Sequence, residues 1–517
     1  MSTEVPVAGK KKISLLMAIL PIVLTLALLI VNIFVFGGDP HVPLIIGVAI
    51  CSIIGLGLGM SWDEVEEGMI QALKPAIPVI GILMTIGMLI STWIVAGTVP
   101  LLINLGVDLI SPQFFLPIAC VICSFTSLLT GTSWGTTGTI GLALISIGEV
   151  LGVPTAYTAG AVISGAFFGD KISPLSETTN AVPVMVGTDL WTHIRNMLPS
   201  TVPAMLIALI VYTYLGYGAV DGQATLQRVT DIKDALGGVF NLNWFLLLPP
   251  LITGVMCFKK VPALPGMFSG VIVGGLVALF AQGVSIGTLL DVMMNGYHIN
   301  TGADYLDTLL SKGGLMSMMY IISLMIIALM FGGLLLKIGS IERIVTTVVS
   351  KLRSRGKLVT GTLLTSLGIT GISDQWVAYT ITGQTFSPAF RGLGLSTANV
   401  SRIAEDTGTL CAPLFPWTSA GVFIAGVTGV QTIIYAPFAI ACWLSPVFDL
   451  IWGWTGWFVP KATPEDAKRW ERNNDPILVE GVWKMGEVDH SLKRFIHSQV
   501  GSWGRRKSKP KPSQVAD

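Results

Sequence analysis

GDKISPLSETTN (residues 169–180) and EDTGTLCAPLFPWTSAG (residues 405–421) interrupt an otherwise apolar chain of 517 residues, each at the corresponding place in its own half. Carboxylates, hydroxyls, glycines and prolines gathered inside membrane-spanning sequence mark a place where an ion or a substrate is coordinated. The pattern predicts an ion-coupled carrier.

Composition agrees with a chain whose main solvent is lipid. Hydrophobic residues make up 52% and charged residues 12%, against about 25% charged in a globular protein, and mean hydropathy is +0.73. A net charge of +1 selects neither nucleic acid nor an acidic partner. The six cysteines lie in or beside apolar segments, so Cys120-x-x-Cys123 reads as packing. His41, His193, His298, His490 and His497 fall at predicted span edges, in loops or in the tail, which disfavours a histidine metal centre. Gly55-Leu-Gly57-Leu-Gly59 lacks dinucleotide-loop spacing and no Walker pattern occurs, so ATP hydrolysis is not expected.

Lys10-Lys11-Lys12 followed by an apolar run from Ile13 to Phe36 reads as an uncleaved first span. Twelve further apolar runs follow, several too short or too broken by Gly and Pro to cross a core of about 30 Å in one piece. The expected architecture is an all-α polytopic membrane protein of about 11–13 transmembrane segments, some broken or re-entrant. The halves repeat: Trp93-Ile-Val-Ala-Gly97 recurs as Leu335-Leu-Lys-Ile-Gly339, and Trp134 in GTSWGTTGTIG (131–141) falls onto Trp376 in GISDQWVAYTITGQTF (371–386) at the same spacing. A small further gap aligns Gly169-Asp170 with Glu405-Asp406.

Basic residues orient the halves. With the N-terminal lysines inside, 61–75 is inside and 96–113 outside, and the latter has no Lys or Arg. Its counterpart carries Lys337, Arg343, Lys351, Arg353, Arg355 and Lys357 and reads as cytoplasmic, as does Lys259-Lys260. The repeat is therefore expected to be inverted, with 1–12 a cytoplasmic N-terminus, 13–219 the first repeat, 220–240 a connecting loop, 241–460 the second repeat and 461–517 a solvated, polar cytoplasmic tail.

Asp170 is the leading candidate for chemistry, because an uncompensated charge at that depth costs about 2.5–3.5 kcal/mol even on the insertion scale. Pro174 breaks the helix and exposes carbonyls to a cation, while Ser173, Ser176, Thr178 and Asn180 add neutral oxygens and Glu177 a second carboxylate. A pairing of Lys171 with Asp170 or Glu177 for packing alone is the structural alternative. In the second half Arg402 is spaced to pair with Glu405 at i,i+3, leaving Asp406 the freer carboxylate, with Thr407 and Thr409 beside it. Asp374 is a third acid, and Thr132, Ser133, Trp134, Thr136 and Trp376 are expected to wall the site.

GTSWGTTGTIG, GDKISPLSETTN, SWDEVEEGM (61–69), TWIVAGTVP (92–100) and EDTGTLCAPLFPW together resemble the NhaC-type Na+/H+ antiporters of the ion transporter superfamily, over roughly residues 40–455. The resemblance implies a bacterial inner-membrane protein exchanging Na+ for H+, and relatives exchanging malate or lactate with Na+ and H+. A buried carboxylate that holds either a proton or, ionised, a sodium ion makes the exchange obligatory, and Asp170 and Asp406 are the expected pair. An organic-anion exchanger would instead draw on Lys171 and Arg402. An enzyme is not expected, since no Ser-His or Cys-His constellation falls at membrane depth. Expected partners are lipid, Na+ and H+, a small dicarboxylate or lactate under the alternative, and a second copy as a homodimer, with no nucleic acid and no cofactor.

Overall fold

The computed structural model describes residues 13–109, 111–219, 236–259, 261–299, 307, 310–349, 351–472, 475, 477–479 and 482–484. The Lys10–Lys12 cluster, residues 220–235 of the connecting loop, Lys260 and the basic run Arg505–Lys511 within the polar tail lie outside them.

The apolar runs fold as helices because a backbone in lipid must satisfy its own N–H and C=O groups. Ser14 caps Leu15–Phe34 by accepting from Met17 N at 3.2 Å. Trp62–Leu73 opens on a capping box in which Ser61 and Glu64 exchange hydrogen bonds at 3.3 and 3.0 Å. Among the described residues six helices are long and apolar enough to cross a bilayer, and two pairs bent by 42° and 58° raise the number to eight. The expected 11–13 counted shorter or more polar helices as well, such as Thr155–Ile172 and Gln375–Gly392.

Helices begin at Ile77, Thr98 and Ser133 in the first half and at Met319, Ser340 and Gln375 in the second, each pair 242 residues apart. The matched glycines serve one purpose. Gly97 (φ +80°) and Gly339 (φ +76°) turn the chain in the left-handed region that side chains avoid, between a long helix and a short one.

Both halves then break their helices twice. Phe115–Thr130 ends at Gly131, and extended Thr132 caps Ser133–Thr136, which continues as a π-helical turn over Thr137–Gly141. In the second half Arg355–Ile372 ends at Ser373, and extended Asp374 caps Gln375–Gly392. The second breaks are the two quoted stretches, between Thr155–Ile172 and Glu177–Val186 and between Ala398–Gly408 and Ser419–Thr428.

The start of the polar tail is not freely solvated. Ala462 N donates to Gly394 O at 2.9 Å and Ser396 N to Pro460 O at 3.1 Å. The Arg391 guanidinium lies 5.6 Å from the centroid of buried Trp470 and 3.4 Å from Asp475. The helix Pro464–Arg472 and a two-stranded antiparallel sheet, Ile477–Val479 with Val482–Lys484, complete this docked segment, so among the described residues the regular structure is helical but for that sheet.

Candidate functional site

The helix breaks of the two halves meet at a cavity of about 900 Å³ whose walls include Thr132, Ser133, Trp134, Asp170, Gln375 and Trp376. A second cavity of about 410 Å³ shares Trp134, Gln375 and Trp376 and adds Asp374 and Ser419. Trp134 stacks on Phe423 with centroids 4.5 Å apart, and Trp376 meets Tyr379 edge-on at 5.7 Å. Both tryptophans line both cavities.

At the end of its helix Asp170 accepts at Oδ2 from Ser133 Oγ at 2.7 Å, while its Oδ1 is buried without a hydrogen-bond partner. Part of the backbone beside it is already engaged: Ser173 N donates to Asp170 O at 3.0 Å, and Thr179 Oγ1 donates to Lys171 O at 2.9 Å and Asp170 O at 3.3 Å. Ser173 Oγ is likewise committed, donating to Leu128 O at 2.7 Å. Ser176 caps Glu177–Val186 and lies 3.1 Å from the Thr178 hydroxyl. Glu177 and Asn180 are exposed at the cavity, where Asn180 donates its amide hydrogens to the Pro174 and Ser176 carbonyls. The Thr136 hydroxyl is buried without a hydrogen-bond partner, and the residue lines neither cavity.

The charge pairing in the second half reverses the expectation. Arg402 does not hold Glu405: its Nε donates to Asp449 Oδ1 at 2.6 Å, and Nη1 donates to Phe458 O at 2.7 Å. Asp406 is not the freer acid. Lys171 Nζ and Ser445 Oγ both donate to its Oδ1 and Ser200 Oγ to its Oδ2 at 2.8 Å, so Lys171 pairs with neither Asp170 nor Glu177. Lys171, Arg402, Asp406 and Asp449 are all fully buried and together formally neutral.

Glu405 is the acid left over. Thr409 Oγ1 donates to its Oε1 at 2.6 Å and lies 2.5 Å from the Tyr379 hydroxyl, while Oε2 is buried without a hydrogen bond, 4.0 Å from an equally unpartnered His193 Nε2. Thr409 reaches the large cavity and so links it to Glu405. Thr407 faces the other way, donating to Ile403 O at 2.7 Å and meeting Ser366 Oγ at 2.6 Å. Asp374 caps its helix by accepting from Trp376 N at 3.2 Å and also accepts from Ser419 Oγ at 2.5 Å.

His193, Asp449, Ser200 and Ser445 were not among the sequence candidates. Asp449 had a signal, a lone charge inside the apolar run 418–459. His193 had none: it opens Leu190–Ala219 and looks interfacial, yet it is fully buried, hydrogen-bonded through Nδ1 to Ser401.

Residues 4–180 and 165–457 match the Na+/H+ antiporter family. The chain is 37% identical over 462 residues to the Na(+)/H(+) antiporter NhaC of Alkalihalophilus pseudofirmus, covering 89% of this chain and 100% of that one. It is 35% identical to the arginine/ornithine antiporter ArcD of Halobacterium salinarum, over 89% of this chain and 95% of the relative. It is also 35% identical to the malate-2H(+)/Na(+)-lactate antiporter of Bacillus subtilis, over 79% and 88%.

Proposed function

Because this chain belongs to the Na+/H+ antiporter family, we propose that it is a secondary transporter of the bacterial inner membrane that exchanges Na+ for H+, with Asp170 as the carboxylate that holds the two in turn. The observation that carries this reading is the buried, unpartnered Oδ1 of Asp170 at the wall of the large cavity. Asp406 and Asp449 are neutralised by Lys171 and Arg402. Ionised, Asp170 attracts Na+, for which the hydroxyls of Ser133, Ser176 and Thr178 are neutral oxygen ligands. Protonated, it has no charge to offer, so one occupant displaces the other. Thr409 gives the proton a hydroxyl step toward Glu405 and His193.

Alternating access follows from an inverted repeat, with both termini cytoplasmic. The 242-residue spacing of helix starts supports it, as does the 2.8 Å pair between Glu67, which precedes Ile77–Val95, and Lys337, which ends the counterpart helix. If both lie on one side, the two helices run in opposite directions.

The test is Asp170→Asn in proteoliposomes loaded with a pH-sensitive dye. Asparagine keeps an acceptor for Ser133, so folding is retained while the Na+-induced pH change is lost. A well-folded variant that exchanges at the normal rate overturns the assignment. The organic-anion reading is favoured by the malate/lactate relative, and it requires Lys171 or Arg402 to leave its carboxylate partner first.

A further inference from the structure

The large cavity is far bigger than a sodium ion requires. A Na+ site is a handful of oxygens closing on one point, whereas about 900 Å³ falls within the roughly 300–1,000 Å³ of sites for organic ligands. We propose that this cavity binds a small organic cation, an amine or guanidine, with its charged group on Asp170 and its carbon skeleton against Trp134 and Trp376.

Charge decides the sign of the ligand. Among the described residues, those lining this cavity include two carboxylates, Asp170 and Glu177, and no Lys, Arg or His. Lys171, next in sequence to Asp170, points away to Asp406 and is fully buried there. An anion in this space would face two acids with no cation among the described lining residues to offset them, whereas an ammonium or guanidinium meets opposite charge at the buried end and again at the exposed Glu177.

Hydrogen bonding points the same way. Asp170 Oδ1 is an acceptor with nothing donating to it, and such a buried group is costly until a donor arrives. Asn180 has both amide hydrogens engaged, which leaves its carbonyl oxygen as a further acceptor at the wall. Ammonium and guanidinium groups are donors only, and so match these two open acceptors. The two indoles complete the selection, since a cation over an aromatic face is attracted by the ring quadrupole.

The proposal shares Asp170 with the exchange reading but does not depend on Na+ being a cargo. The test uses the full-length chain in proteoliposomes, with radiolabelled putrescine, agmatine, L-ornithine and L-arginine as probes and malate and lactate as controls. Counterflow of each label and the Na+-induced pH change are read in parallel. We expect saturable counterflow of at least one of the four cations, inhibited by Na+ and lost in Asp170→Asn. Trp376→Ala should weaken the half-saturating concentration by about three- to tenfold, and Trp376→Phe, which keeps an aromatic face, should restore most of it. Intact Na+ exchange with no counterflow or binding of any of the four overturns the proposal and leaves the exchange reading standing. Counterflow of malate or lactate in their place also overturns it. Cation counterflow without any Na+-dependent pH change supports the cavity assignment and sinks the Na+ reading instead.

Discussion

Replacing Lys171 with Met removes one member of a fully buried ion pair and strands the other. Lys171 and Asp406 are both 0% exposed, and breaking such a pair costs about 3–5 kcal/mol because an uncompensated charge stays inside. Asp406 keeps two donors, Ser200 at 2.8 Å and Ser445, which places the expected loss near the lower end, about 3 kcal/mol, or more than 100-fold in the unfolding equilibrium. The double variant Lys171→Met with Asp406→Leu removes both charges, and Ser200 still has the Met197 carbonyl at 3.0 Å. It should return to within about 1–2 kcal/mol of the wild type, because an ion pair and a packed apolar pair of similar volume nearly break even. The assay is steric trapping or denaturant unfolding of the four proteins of the cycle in one bicelle composition. A single variant within about 0.5 kcal/mol of the wild type, or a double no more stable than the single, refutes the reasoning.

If proton and Na+ compete at Asp170, lowering the pH below the titration of the site should raise the apparent Na+ Michaelis constant by up to about tenfold per pH unit per competing proton, and Asp170→Glu should displace that profile. A constant flat across the active pH range means separate sites. For the inverted repeat, single cysteines at the exposed Ser111 and Ser354 in a cysteine-free background should label from opposite sides with an impermeant maleimide. Labelling of both from one side sinks the repeat; Thr98 and Ser340, nearer the matched glycines, are buried and unsuitable for the purpose.

The parts of this fold that depend on solvent preference were legible in the sequence. Lipid imposes long apolar helices, so Leu15–Phe34 and Ile77–Val95 could be read directly, and polar interruptions at Asp170 and Glu405 announced the helix breaks. The 242-residue spacing of the matched turns was equally visible, since Gly97 and Gly339 mark places that need a positive φ. What local spacing misjudged was pairing. Arg402 and Glu405 satisfy an i,i+3 rule, yet Arg402 turns to Asp449, 47 positions away, and leaves Glu405 to Thr409 and His193. Such contacts depend on which helices become neighbours. The burial of His193 has the same origin: its helix starts against the Ala398–Gly408 helix, where Asn196 donates to the Ala398 carbonyl at 2.7 Å. Thr179 could not be singled out among four hydroxyls in its stretch, because only the folded break brings it under the carbonyls of 170 and 171.

The Lys171–Asp406 pair joins residues separated by 235 positions, which bears on how the protein is made. At about 5–20 residues per second, roughly 12–47 s pass between the synthesis of the lysine and that of its carboxylate. Throughout that interval an ammonium group destined for the interior lacks the carboxylate that pairs with it in the fold, and leaving it uncompensated in hydrocarbon costs about 2.5–3.5 kcal/mol on the insertion scale. The Thr155–Ile172 helix therefore cannot settle when it first emerges from the ribosome. Its final packing needs the Ala398–Gly408 helix, so the N-terminal half is expected to complete its folding only after that helix of the C-terminal half has been synthesised.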